Sequence, residues 1–175
     1  MSFWTNNNTA PKRNFRFLIQ ITGMEGEDVI WWAKSSDLPS FDVAETQHQF
    51  LDNTYKFPGK VTWTDVNMSL VDPVSPDAVG LTNKIVEQFY TVKKKASATS
   101  NPKTISKKRA QAALGAVIIT VYDSDGVDVE TWRLQRAFIK SVKFSQLSYD
   151  NEELRTIDLT FAYDWAVCTT KTGEA

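Results

Sequence analysis

Residues 136–167 read RAFIKSVKFSQLSYDNEELRTIDLTFAYDWAV. Apolar and polar side chains alternate on both sides of a polar centre. In the first half, Phe138, Val142 and Phe144 fall on one side, and Ile139, Ser141, Lys143 and Ser145 on the other. In the second half, Ile157, Leu159, Phe161, Tyr163 and Trp165 alternate with Thr156, Asp158, Thr160, Ala162 and Asp164. A period of two residues marks a half-buried strand. Tyr149-Asp150-Asn151-Glu152-Glu153 carries turn chemistry between the two runs. The stretch therefore predicts a long β-hairpin with Phe161 and Tyr163 packed inside. Its opposite face is polar but poor in full charges, which suits contact with water or with another subunit.

The rest of the chain extends this pattern. Phe15, Phe17, Ile19 and Ile21 alternate through a first strand ending at Thr22. Gly23-Met24-Glu25-Gly26-Glu27-Asp28 predicts a turn in which Gly23 and Gly26 serve positive φ or a tight bend. Extended structure resumes over Val29 to Lys34 and breaks at Ser35-Ser36-Asp37-Leu38-Pro39. Val61 to Asp72 predicts another strand, with Val66, Met68 and Leu70 on one face and a bulge at Asp65. Val117, Ile119 and Val121 mark a strand that leads into Asp123-Ser124-Asp125-Gly126, where Asp125-Gly126 suits a type I′ hairpin turn.

One principal helix interrupts the strands. Ser75 suits its cap, Pro76 its first position and Asp77 its positive end. Leu81, Ile85, Phe89 and Val92 form a stripe at helical spacing, so the helix spans about residues 76–92 and packs on the sheet. Lys93, Lys94, Lys95, Lys103, Lys107, Lys108 and Arg109 follow with no acid among them, first in a loop and then in a short basic helix that Gly115 stops. The fold class is mainly β with one principal helix, an antiparallel α+β chain.

Composition limits the function. The chain has 175 residues, a formal net charge of −1 and a pI of about 5.9, which does not mark the whole chain for nucleic acid. The lysine run lacks interleaved aromatics, so a solvated basic face or an acidic partner fits it better than a nucleic-acid-binding module. A single cysteine, Cys168, excludes an internal disulfide and reads as an inert thiol. Residues 1–13 form an N-terminal arm without the apolar core of a signal peptide, with Phe3 and Trp4 as candidate anchors, and no later run is long enough for a membrane helix.

No set of residues carries chemistry. His48, the single histidine, sits between Gln47 and Gln49 without ligands at zinc spacing, and Asp42 and Glu45 do not complete an acid–base pair with it. The glycines before Trp31-Trp32 do not open a helix, as a phosphate loop requires. The acidic turn at Asp123 fails the twelve-residue calcium pattern. A small β-rich enzyme needs a convergent acid, base or nucleophile, and the sequence offers none. No cofactor and no metal are expected.

Residues 40–60, SFDVAETQHQFLDNTYKFPGK, alternate weakly yet carry Phe50, Tyr55 and Phe57 among polar groups, with turn signals at Asp52-Asn53-Thr54 and at Pro58-Gly59, where Gly59 suits positive φ. They predict an extended hairpin or arm. Phe50, Tyr55 and Phe57 would supply apolar contact to another subunit and Asp52-Asn53 would form the tip. A self-contained surface hairpin is the plainer reading of the same residues.

The order of these features resembles the tube proteins of contractile phage tails. Asn14 to Thr22 looks like their first strand and Ser36-Asp37-Leu38-Pro39 like the turn after their second. Phe57-Pro58-Gly59-Lys60 running into Val61-Thr62-Trp63-Thr64-Asp65-Val66 is similar to the entry of their central strand. The Asp and Pro helix cap, the Asp125-Gly126 hairpin, the Trp132 strand and the ending near Tyr163-Asp164-Trp165 follow in the same succession over residues 12–167. The resemblance implies one domain over residues 14–167, a sandwich or barrel-like sheet whose strands join neighbouring subunits, and a tail from 168 to 175. It also implies a homo-oligomer of stacked hexameric rings in the virion tail, made in the host cytoplasm. Thr160 and Ala162 would then face the channel or a neighbour. A sheath would lie outside, with baseplate or terminator proteins at the ends, and DNA would pass through the lumen without specific binding. A secreted ring of a contractile secretion system and a baseplate tube initiator share this fold.

Overall fold

The alternation seen in the sequence builds two four-stranded antiparallel sheets. The first has the order β1 (Phe17–Ile21), β6 (Val117–Tyr122), β7 (Asp128–Gln135), β10 (Trp165–Thr170). The second has the order β2 (Ala33–Ser36), β5 (Val66–Val71), β9 (Thr156–Ala162), β8 (Phe138–Phe144). A two-stranded ribbon, β3 (Phe41–Phe50) and β4 (Asn53–Trp63), extends beyond β2 and β5. The computed structural model describes residues 11–23, 33–75, 77–90, 104–150 and 152–171. The expected anchors Phe3 and Trp4, the turn after Gly23 with the run to Trp32, Pro76, Val92 and the lysines at 93–95 and 103 lie outside the described residues.

The core is the sum of the apolar strand faces. In the first sheet, Ile19 stands opposite Ile119, Ile21 opposite Val117, and Val117 opposite Leu134. In the second, Val66, Met68 and Leu70 stand opposite Phe161, Leu159 and Ile157. All are buried and join one apolar cluster. Each such side chain contributes about 1.5–3 kcal/mol on burial.

Two helices complete the cluster. α1 (Ala78–Phe89) buries Ala78, Thr82, Ile85 and Phe89, a spacing of three and four that forms one helical stripe. Leu81 lies at the half-buried margin of this stripe. The buried Thr82 hydroxyl donates to the Ala78 carbonyl at 2.8 Å, so no polar atom of that residue is stranded. α2 (Lys107–Leu114) buries Ala110, Ala113 and Leu114, packs against α1 and β8, and keeps its lysines outside. Gly115 ends α2 at φ +72°, and a side chain there would collide with the Thr22 hydroxyl, whose oxygen accepts from the Ala116 N–H at 2.7 Å. Gly23 is required by close approach, not by positive φ, because its amide donates to the Leu114 carbonyl at 2.8 Å.

Several boundaries differ from the sequence expectation. The cap of α1 is Asp77, not Ser75: its carboxylate accepts the Gly80 N–H at 3.0 Å, and the helix starts at Ala78. The helix also stops at Phe89, before residue 92, because Tyr90 is extended. Replacing Asp77 by alanine removes the acceptor and should lower stability by about 1 kcal/mol. Urea denaturation reads this as an earlier midpoint, and an unchanged midpoint contradicts the assignment.

The long terminal hairpin is shorter and more broken than its period suggested. Its strands end at Phe144 and Thr156, and residues 145–155 form the connection, closed by the Ser145 N–H to the Thr156 carbonyl at 3.0 Å. A register shift between Ile139 and Ser141 pairs Ile139, not Phe138, with the buried Phe161, while Phe138 pairs with Ala162. The second run changes sheets at Tyr163-Asp164. Trp165 therefore leaves the face shared by Ile157, Leu159 and Phe161 and opens β10 opposite Gln135. Asp164 fixes that crossing. Its amide donates to the Gln135 carbonyl at 3.1 Å, and its carboxylate takes the Lys107 ammonium at 2.6 and 2.8 Å. At the other hairpin only Gly126 has positive φ, at +75°, so the turn is not type I′. The Asp123 carboxylate instead organises it by accepting the Asp125 and Val127 amides, and these bonds hold the Asp123 carboxyl below its usual range.

Candidate assembly surface

The arm is a direct outgrowth of the second sheet. Ser36 pairs with Met68, the Asp37 amide donates to the Asn67 carbonyl at 2.9 Å, the Thr64 amide donates to the Ser40 carbonyl at 2.9 Å, and Phe41 pairs with Trp63. The register is unbroken through this passage, so Thr64-Asp65 is a short gap between β4 and β5 and not the expected bulge. Side chains reinforce it: the Asn67 amide donates to the Asp37 carboxylate at 3.0 Å, Lys140 pairs with Asp65, and Ser40 bonds Thr64. The irregularity lies further out. Between Val43 and Glu45 the register shifts against β4, which places Pro58-Gly59 inside the strand at a bulge, not at a turn, and Gly59 has no positive φ. The tip is one residue earlier than expected, with Phe50 paired to Asn53 and Leu51 at φ +51°.

The pairing sorts the arm into two faces. Near the base, Phe41, Val43, Val61 and Trp63 share one face. Beyond the bulge, Phe57 pairs with Thr46, Tyr55 with His48 and Phe50 with Asn53, all on the opposite face. The bulge residue is what separates them, since it reverses the parity of β4 but not of β3. The reverse side of the outer half is polar, with Glu45 taking Lys56 at 3.2 Å and Gln47 at 2.7 Å. Nothing described in the chain covers the outer aromatics: Phe50, Tyr55 and Phe57 are 60%, 51% and 55% exposed. Among the described residues only the root is anchored, through Phe41 on Trp63 at 5.1 Å and Trp63 on Tyr163 at 5.9 Å between ring centres. A lone two-stranded ribbon is marginal in water, and a contiguous uncovered aromatic face marks an interface.

Among the described residues, a second open feature is a groove of about 880 Å³ between β1 and β2, the edge strands of the two sheets. Phe17, Ile119 and Val121 give it an apolar floor, and Arg13, Arg16 and Lys34 stand on its rim. Lys12, also in its lining, is engaged with Glu130. That hydrogen bond and one from the Trp132 indole hold the Glu130 carboxyl below its usual range, against the burial that raises it. The sequence could not show this groove, because it joins residues over a hundred positions apart that only the sheet order brings together.

Ile85 and Phe89 are buried and Phe161 is fully so, while Tyr163 is half-buried with its phenol raised by that burial. Thr160 and Ala162 lie on the outward face of β9, where the Thr160 hydroxyl donates to the Asn67 side-chain oxygen at 3.0 Å. His48 is exposed on the arm. Burial raises the Cys168 thiol, the wrong direction for a nucleophile. Among the described residues no cluster of three His, Cys, Asp or Glu side chains could hold a metal, and no helix is long and apolar enough to cross a membrane.

A chain of the 6-fold symmetrised anti-feeding prophage baseplate superposes with a TM-score of 0.66 at 12% identity, over 93% of this chain and 97% of that one. A chain of the extended sheath–tube complex of the extracellular contractile injection system PVC gives 0.62 at 14% identity, over 97% and 99%. The chain shares its fold with these chains of contractile assemblies. Hcp1 from Salmonella typhimurium is a more distant match to this fold, with a TM-score of 0.53 at 10% identity, over 89% and 85%. No protein-family model matches the sequence, and no curated protein matches it significantly. The shared fold is thus expressed here in the order and packing of the strands, not in residue identity.

Proposed function

We propose that the chain is a structural, non-catalytic subunit of a contractile-system tube, assembling into hexameric rings that stack around a channel. The observation that carries this reading is the arm, a ribbon of ten and eleven residues whose outer aromatics are exposed, rooted in a tube fold. Such a ribbon has a physical reason to exist only if another subunit covers it. Phe50, Asp52, Asn53, Tyr55 and Phe57 make that contact. The outward face of β9, with Thr160 and Ala162, faces the channel or a neighbour. Closure between subunits also removes the free edges of the two sheets, which otherwise invite uncontrolled pairing.

In this role a sheath surrounds the tube, baseplate and terminator proteins bound its ends, and in a phage tail the cargo is DNA, which passes without specific binding. The particle is a virion tail assembled in the host cytoplasm. A second reading, a ring at the baseplate or tube end, is favoured by the similarity to a baseplate chain, with a TM-score of 0.66 against 0.62 for the sheath–tube chain. Electron cryomicroscopy of the purified protein tests both. Six-fold rings stacked into hollow tubes are expected, and single unstacked rings favour the baseplate reading. A protein that stays monomeric at every concentration overturns both.

A further inference from the structure

We propose that the outer aromatic face of a second copy's arm docks in the groove between β1 and β2. This rests on the tube reading and adds the receptor for the arm. The groove has an apolar floor of Phe17, Ile119 and Val121. On its rim, Lys12 is neutralised by Glu130, and Asp37 contributes one negative charge while accepting from the Asn67 amide, against the three cations Arg13, Arg16 and Lys34. Arg13 and Lys34 have no ion pair among the described residues, while Arg16 lies over the Phe15 ring at 5.2 Å and its charge also acts on Asp123. The groove therefore presents an apolar slot with an excess of positive charge.

The outer face of the arm is its complement. It carries Phe50, Tyr55 and Phe57, with Asp52 in the tip turn. The reverse face is polar and its Glu45 is already paired with Lys56, so it has little to offer an apolar slot. The chain's own arm cannot fill its own groove. Asp37 and Leu38, which line the groove, lead directly into β3, and ten residues of strand carry the tip about 30 Å away. The occupant is another copy. Its docking buries three aromatics, fills the groove and sets Asp52 among the three cations.

Charge exchange tests the pairing. The double variant Arg16→Glu with Lys34→Glu should raise the protein concentration needed for assembly at least tenfold, and Asp52→Lys alone should do the same. Combining the three substitutions should recover most of that loss. A second measurement does not depend on the rim charges. In a Cys168→Ser background, Asn53→Cys with Ser35→Cys should give an intermolecular disulfide on oxidation of assembled protein. A groove variant that assembles like the parent, a triple variant with no recovery, or assembled protein with no intermolecular disulfide overturns the inference while leaving the tube reading standing. A parent protein that never assembles overturns both.

Discussion

Replacing Phe161 by alanine lowers the unfolding free energy by about 3–5 kcal/mol. The ring is completely buried and sits on β9, an inner strand of the second sheet, opposite Val66 on one side and Ile139 on the other. Both neighbours are held by their own ladders, so they cannot move in to fill the space. The loss is therefore that of the transferred ring plus that of the cavity left behind. Domains of this kind have only about 5–15 kcal/mol to lose, so the variant should denature at a much lower urea concentration and assemble poorly for want of folded protein. Phe57→Ala is the matched control. Its ring is exposed on the arm, and its loss should change monomer stability by no more than about 0.5 kcal/mol. Equal midpoints for the two variants would sink the assignment of β9 to the core.

Much of this core was legible from period alone. Val66, Met68 and Leu70, Ile157, Leu159 and Phe161, and Ile19 with Ile21 alternate strictly, and each set is buried as its period required. Period fails where the chain changes sheet without changing pattern. The alternation continues through Tyr163-Asp164-Trp165 with no glycine or proline to mark a break, yet the strand ends there. The decision is made by Asp164, whose partners Lys107 and Gln135 are distant in sequence. The same holds for Phe138 and Ile139, which a bulge exchanges between faces. Turn signals misled where they marked bulges. Pro58-Gly59 read as a chain reversal, but proline and glycine also mark the irregular positions of an exposed ribbon. For the candidate site, the aromatics of the arm were visible as apolar residues without a period to bury them. The division of its apolar residues between two faces was not visible, because it depends on one extra residue in β4. The groove was invisible altogether, since it exists only once β1 and β2 stand at the edges of separate sheets.

Shortening the arm separates its two explanations. Removing residues 47–56 and joining Thr46 to Phe57 through an Asn-Gly turn preserves the register, because Thr46 and Phe57 are already paired and alternate in phase with the Phe50–Asn53 pair that closes the present tip. The excised part includes Phe50, Asp52, Asn53 and Tyr55, and none of these side chains is buried. The root stays intact, with Phe41 on Trp63 and Trp63 on Tyr163. Monomer stability should therefore change by less than about 1 kcal/mol, as for other surface changes. Assembly should behave differently. An aromatic anchor at the centre of an interface contributes about 2 kcal/mol or more, and each 1.4 kcal/mol is a tenfold change in affinity. Loss of Phe50 and Tyr55 should raise the concentration needed for stacking far more than tenfold, and sedimentation of assembled protein reads this directly. A folded, shortened chain that stays in the supernatant establishes the arm as the joint between copies. Tubes of parental length and stability from the same chain would mean that the ribbon is an ornament of the fold, and that its exposed aromatics have another partner.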